Sequence, residues 1–262
     1  MYPRKIAAAH PLIWVVPPFY KLFIGCSGWW LPVLHLVLAD SELEQIPSEI
    51  AEHPVIRRLA RRRGRRPTEL ILNSSLHFPA MRRLQDGDRR GRPDIVHMSL
   101  LLALDTPLNR EGLLRVYVHT RKDKLITVSP SVDLPRASYR FEGLMEQLFL
   151  TGKVPPEKPF LRVEDASLET ILRRINPEKV ITFSDRGNRK LWSEIYIGLS
   201  RESDVCVVVG GFPRGDFLSE VDKISDELVC IDPELLRAPT VVSRAIYSYE
   251  DTFGISELRW RR

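Results

Sequence analysis

The stretch "VVVGGFPRGDF", Val207–Phe217, decides how the chain is read. Three valines run straight into Gly210 and Gly211, and Gly215 follows four residues later. A continuous β-branched run with no polar alternation marks a strand buried on both faces of a parallel sheet. The glycines at its tip let a ligand approach bare backbone. A triphosphate loop is excluded, because "GGFPRG" has no Lys-Ser/Thr pair and is not G-x-G-x-x-G. Pro213 also removes one of the backbone donors such a loop would use. From this segment alone, a tight connection that holds nothing stays open.

Working outward, strands and helices alternate through the last hundred residues. The helix "SLETILRRI" precedes the strand "KVITFS", and a helix "NRKLWSEIYIGLS" precedes "DVCVVVGG". A short helical "DFLSEV" leads to the strand "ELVCID", and the helix "TVVSRAIYSYEDTF" closes the chain. This order predicts an α/β fold with a parallel sheet and helices on both faces. Earlier in the chain, "VLHLVLAD" (Val33–Asp40) reads as a buried strand and "SEIAEHPVIRRLARRRG" as a basic helix ending at Gly64. "ELILNSS" (Glu69–Ser75) reads as a second strand. "RPDIVHMSLLLALD" reads as a helix buried nearly all round, with Pro93 at its first position and Asp94 complementing the dipole. "LLRVYVHT" and "KLITVSPSV" alternate at period two around "RKDK", a hairpin signal. Phe141, Leu144, Met145, Leu148 and Phe149 form one helical stripe, stopped by Gly152. "KVPPEKP" reads as a surface linker. The organisation expected is one domain over 34–262, with a hairpin and helix elaboration at about 106–160.

A net charge of +5 is unevenly distributed. Seven arginines fall between Arg57 and Arg66, and Arg82, Arg83, Arg89, Arg90 and Arg92 follow. Such clustering is the electrostatic footprint of a phosphate-backbone partner. Cys26, Cys206 and Cys230 match neither a disulfide framework nor a zinc site, so no metal is expected, and a reducing cytoplasmic setting fits packed thiols. The apolar "LIWVVPPFYKLFIGCSGWWLPVLHLVL" raises a membrane question. Pro17, Pro18, Lys21 and Pro32 interrupt it short of the ~20 apolar residues a span needs. Residues 1–33 are expected to stand outside the working fold, as from a misassigned start.

"CIDPELLRAPTVVSR" (Cys230–Arg244) is a further strand running into an apolar loop and a helix. A glycine-rich and an apolar strand end, read as neighbours, would suit a flat heterocycle better than a triphosphate. Together with "RGRPDIVH", "LLALDTPLNREG", "SVDLPRASYRFEGLMEQL" and "VVGGFPRGDF", this segment resembles the ribosome-biogenesis pseudouridine methyltransferases of the SPOUT class. The resemblance covers roughly Leu34 to the end. It implies methylation of ring N1 of a pseudouridine in small-subunit ribosomal RNA. It also implies a homodimer, and a C-terminal trefoil knot at about 179–250 that binds S-adenosyl-L-methionine. Carried over, Thr182, Gly210, Gly215 and the run Ile231, Asp232, Pro233, Glu234, Leu235 and Leu236 would contact the cofactor. Arg92, oriented by Asp94, would bind the substrate, and Arg136 and Arg140 the RNA. Asp133 stands where the family often has a basic residue.

Methyl transfer to a protonated nitrogen needs a proton acceptor, and Asp105 is the candidate by position. One helix over Pro93–Leu104 would set it about 19 Å from Arg92. That leaves three options open: the dimer unites them, Asp105 is structural, or water takes the proton. His97 is expected to be a packed core residue. The rival reading is a non-catalytic rRNA-binding assembly factor using the same basic surface.

Overall fold

A computed structural model describes residues 31–200 and 204–261. Most of the N-terminal extension expected to stand apart, and Cys26 with it, lies outside the described residues. Packing is established from Leu31 onward. Leu31 is buried, the Tyr249 hydroxyl donates to the Pro32 carbonyl at 2.7 Å, and the Val33 amide donates to Asp204 at 2.9 Å. Among the described residues no helix is long and apolar enough to cross a membrane.

In chain order the elements are β1 (Leu34–Ser41), α1 (Ser48–Ala51), α2 (Pro54–Arg63), α3 (Ser74–Met81), α4 (Pro93–Leu104) and α5 (Pro107–Arg110). Then come β2 (Leu114–Thr120), β3 (Lys124–Val128), α6 (Ser138–Thr151), β4 (Lys153–Val154), β5 (Leu161–Asp165) and α7 (Leu168–Ile175). The chain finishes with β6 (Lys179–Arg189), β7 (Val205–Gly210), α8 (Val221–Ile224), β8 (Glu227–Cys230), α9 (Ala238–Phe253) and α10 (Ile255–Trp260). One eight-stranded sheet runs β4-β5-β3-β2-β1-β7-β6-β8. From β2 to β8 every pairing is parallel, while β3, β5 and β4 add on antiparallel. The sheet is therefore mixed rather than wholly parallel, and the hairpin β2–β3 continues it directly.

β1 sits at the centre, with Leu36 between Val116 and Val207. Its residues alternate between two cores, as period-two geometry requires. Leu34, Leu36 and Leu38 join Val205, Val207 and Val209 beneath α4, α6 and α9. Val37, Ala39, Cys206 and Val208 pack on the other face against Leu168, Ile171 and Leu172 of α7 and Val221 of α8. Helices on both faces thus explain why "VCVVV" carries no polar residue. A third cluster, including Ile46, Ile56, Ala60, Leu72 and Met81, holds α1 to α3 together outside the sheet.

Several elements differ from expectation. The basic helix is two helices, broken before Pro54, whose ring cannot continue the α1 hydrogen bonds. "ELILNSS" forms no strand. Only Ile71 makes a bridge, to Gln45, and Asn73 accepts the Ser75 amide and starts α3 instead. "NRKLWSEIYIGLS" is not an α-helix: Asn188 and Arg189 end β6, and only Trp192–Glu194 turn, as a 3-10 helix. Ile195 and Tyr196 are buried beneath α9, where the Tyr196 hydroxyl donates to the Ala245 carbonyl and Ser248 to the Trp192 carbonyl. The helical turn placed at "DFLSEV" begins only at Val221. Lys153 and Val154 of the supposed linker pair with β5, a strand absent from the sequence reading. α4 is not buried all round, since Met98 and Leu102 are exposed.

Candidate active site

The ends of β7, β6 and β8 open into a cleft of about 490 Å³, within the range of small-molecule sites. β7 and β8 are not neighbours, as the sequence reading had them; β6 lies between. The glycine turn forms one wall with Gly210, Phe212 and Gly215, and the loop after β8 forms another with Ile231, Asp232, Glu234, Leu235 and Leu236. Arg92, Asp94 and Met98 from the start of α4 complete it.

Three backbone bonds fix the glycine turn and the start of α4 to each other through the end of β1. The Gly211 amide donates to Ala39, the Glu42 amide to Gly211, and the Arg92 amide to Glu42, at 2.7, 3.1 and 2.9 Å. A Cβ on Gly211 would lie 2.1 Å from Ser41 Oγ and 2.8 Å from its Cα, so only glycine permits this approach. Gly215 takes φ +79°, a conformation costly to residues with a Cβ.

Two buried groups that the sequence reading missed hold the turn. Asp40, at φ 49°, accepts the amides of Leu218 and Ser219 at 2.7 and 2.9 Å and the Ser219 hydroxyl at 2.8 Å. Burial works against its charge, but contacts with His119 and Ser219 outweigh this and keep its carboxyl below the usual value. Arg89 donates through Nε to Glu42 at 2.7 Å and through Nη1 to the Asp216 carbonyl at 2.5 Å. Its guanidinium also stacks on Phe212, 4.0 Å from the ring centre. Glu42 is fully buried and accepts Arg121 as well. The only signal in sequence was two acids, Glu42 and Glu44, directly after the first strand. Arg89 and Arg90 are thus buried ion pairs, Arg90 forking onto Glu44 at 2.7 and 2.8 Å, and drop out of the exposed arginine field.

Arg92 forks onto Asp94 through two bonds of 2.9 and 2.8 Å, the orientation expected of it. This carboxylate raises the guanidinium further above its ordinary value. Asp105 is not brought to the cleft: it caps the far end of α4, 78% exposed, bonded to Arg110 at 2.7 Å. A twelve-residue helix between them keeps it about 19 Å from Arg92. Thr182 and Pro233 do not line the cleft either. Thr182 has the parity of Val180, so its side chain enters the opposite core, where its hydroxyl meets Ser225 Oγ at 2.6 Å; Phe183 and Ser184 line the cleft in its place.

Arg136 and Arg140 are exposed at the entry to α6. The surface ion pair weighed for Arg140 does not form, because Glu142 is buried and bonded instead to Asn73 at 2.7 Å. His97 is a core residue as expected. It stacks on Phe141 and bonds the Pro135 carbonyl at 2.7 Å, tying the Arg136 loop to α4. Among the described residues no group of His, Cys, Asp and Glu could hold a metal ion.

The model of the EMG1/NEP1 methyltransferase family matches residues 36–250. Ribosomal RNA small subunit methyltransferase Nep1 of Thermococcus kodakarensis is 45% identical over 226 residues, covering 85% of this chain and 100% of that protein. The protein of the same name from Pyrococcus furiosus is 46% identical over 217 residues, covering 83% of this chain and 96% of its own. In three dimensions the chain is similar to Archaeoglobus fulgidus Nep1 bound to S-adenosylhomocysteine. The TM-score is 0.73 at 36% identity, covering 85% of this chain and 99% of that one. With the match spanning the sheet, the glycine turn and the loop after β8, the chain belongs to the EMG1/NEP1 methyltransferase family.

Proposed function

We propose that this chain transfers a methyl group from S-adenosyl-L-methionine to ring N1 of a pseudouridine in small-subunit ribosomal RNA, in ribosome biogenesis. The observation that carries the reading is the cleft itself, which joins the glycine turn, the loop after β8 and the Arg92–Asp94 fork in one space. The residues present fit the cofactor. Phe183, Val209, Val229, Ile231, Leu236 and Val241 supply apolar walls for a flat heterocycle. Among the described residues no hydrogen bond engages the backbone amides of Leu235 and Leu236, leaving main-chain donors for its edge. Gly210, Gly215, Ile231, Asp232, Glu234, Leu235 and Leu236 would hold it, while Thr182 and Pro233 would act only through the backbone they share with their cleft-lining neighbours. When bound, the cofactor supplies an electrophilic methyl on a sulfonium.

The protein's own residues orient the acceptor. Arg92, fixed in orientation by Asp94, presents its remaining donors to a base or phosphate, and Arg136 and Arg140 take the flanking phosphates. Both Asp94 oxygens are engaged by Arg92 and Asp105 is out of reach, so of the acceptors weighed from sequence water is the one that remains. Asp105→Asn is therefore expected to hold the single-turnover methylation rate within about twofold of wild type, whereas loss of a true general base costs about a hundredfold or more. A loss of that size would make Asp105 the base, delivered by a partner protomer.

The unit proposed is 34–262, with the knot within about 179–250 and the hairpin and helix at about 106–160 as its elaboration. A homodimer is supported by Met98 and Leu102, two large apolar side chains exposed one turn apart on α4. A cytoplasmic setting is supported by Cys206 and Cys230, both free.

Calorimetric titration with S-adenosylmethionine, followed by methyl transfer to a pseudouridine-containing RNA hairpin, tests the whole reading. One cofactor per chain and a methylated hairpin are expected. RNA binding without cofactor binding would leave an assembly factor. Arg136→Ala should weaken the hairpin complex and lower its log–log salt slope by about 0.7–0.9. An unchanged slope removes Arg136 from the RNA contacts.

A further inference from the structure

We infer that α2 carries a second RNA-docking face, an arginine stripe that grips the phosphate backbone flanking the methylated nucleotide. The inference rests on the rRNA methyltransferase reading and extends it to a surface outside the cleft. Of the seven arginines from Arg57 to Arg66, three have carboxylate partners: Arg57 with Glu52, Arg63 with Glu146 and Arg66 with Glu69. Arg58, Arg61, Arg62 and Arg65 are exposed and make no direct ion pair among the described residues, although Arg65 lies within the field of Glu69 and Glu146. At about 100° per residue, Arg58, Arg61 and Arg62 fall opposite Ile56 and Ala60, which are buried in the cluster joining α2 to α3. Arg65 extends the stripe beyond the Gly64 cap, its amide bonded to the Ala60 carbonyl at 3.0 Å.

Arg58 and Arg62 are spaced i, i+4 on α2, and like charges at that spacing repel and weaken a helix. A polyanion laid along the stripe turns this repulsion into attraction and releases its own counterions. The position is right for RNA. Arg63 donates to Glu146 at 2.8 Å and lies 3.8 Å from Glu142, docking the end of α2 on α6, whose first turn bears Arg140. The stripe thus continues the basic surface that begins at Arg136. Beside it, Phe78 on α3 is 58% exposed with the Arg82 guanidinium 5.5 Å from its ring centre, a flat pair able to stack a base. A membrane surface fits less well, because an interfacial helix needs large apolar side chains along its docking side, and this face of α2 offers only Val55.

Two probes decide it: a pseudouridine-containing RNA hairpin, and the same hairpin with single-stranded flanks. Wild type is expected to bind the flanked RNA more tightly and with a steeper salt slope. Arg58→Gln, Arg61→Gln, Arg62→Gln and Arg65→Gln combined should erase that advantage. The slope on flanked RNA should fall by about 3, four contacts at about 0.7 each. Binding of the bare hairpin and of S-adenosylmethionine should stay at wild-type values, which also reports intact folding. A quadruple variant that binds flanked RNA like wild type overturns the inference alone. So does one that loses only phosphatidylserine-vesicle binding. Wild type that binds neither RNA overturns the rRNA reading and this inference with it.

Discussion

Glu42→Ala is expected to cost about 3–5 kcal/mol of folding stability, the range for breaking a buried ion pair from one side. The carboxylate is fully buried and accepts Arg89 at 2.7 Å and Arg121 at 3.1 and 3.3 Å. Removing it leaves two largely buried guanidinium groups facing each other, Arg89 without a counter-charge and Arg121 with only Asp86 at 3.3 Å. Urea unfolding followed by fluorescence measures the loss directly. The same change should weaken cofactor binding, because Arg89 is the group that holds the Asp216 carbonyl and the Phe212 ring. A variant with wild-type stability would mean that water reaches the network and that Glu42 is not its keystone. Replacing Arg89 and Glu42 together by apolar residues of similar volume should cost less than Glu42→Ala, since no charge from that pair is left unmatched.

This network shows where sequence reading loses its grip. Arg89 and Arg90 belong to a charge run, and a charge run reads as a solvated or polyanion-binding surface. Their partners Glu42 and Glu44 lie 47 and 46 residues away, a pairing fixed only when the third hydrophobic cluster folds α1 to α3 back against β1. What was legible rested on local rules. β1 and β7 had to be buried on both faces because they lack polar alternation. α4 began at Pro93, and α6 and α2 ended at Gly152 and Gly64, both in left-handed conformation. β5 was missed because "LRVED" carries three charges in five residues and is exposed along much of its length. Its backbone pairing with β3 and β4 holds it in the sheet instead. "NRKLWSEIYIGLS" misled for the opposite reason: Ile195 and Tyr196 are buried, but in irregular chain passing beneath α9, while Leu191 and Ile197 stay exposed. At the candidate site, the glycine turn and the loop after β8 were readable from their residues, whereas the Arg92–Asp94 fork came from the family resemblance. The distance of Asp105 was computable from the length of α4, but nothing local could show that Arg110 occupies it.

Gly215→Arg is expected to abolish S-adenosylmethionine binding, with affinity reduced by at least about a hundredfold, while the fold survives. Gly215 lines the cleft and sits at φ +79°, where a Cβ would come within 3.3 Å of Arg89 Nη1. The left-handed strain alone is on the order of 1–2 kcal/mol, which a domain of this size tolerates. The larger effect is on the pocket, for a new guanidinium beside Arg89 must turn away from it into the space the cofactor needs. A sulfonium cofactor then meets a positive charge where it had bare backbone, and every 1.4 kcal/mol of that repulsion and exclusion is tenfold in affinity. Gly211 offers the contrasting control. Its missing Cβ faces Ser41 backbone and hydroxyl at 2.8 and 2.1 Å, so Gly211→Ala forces β1 and the turn apart and should lower stability as well as binding. Calorimetry and thermal melting of the two variants separate the roles. Gly215→Arg should lose the binding heat and keep nearly its wild-type Tm, and Gly211→Ala should lose both. If Gly215→Arg still binds cofactor with wild-type affinity, the turn is only a connection, and the loop after β8 holds the cofactor without it.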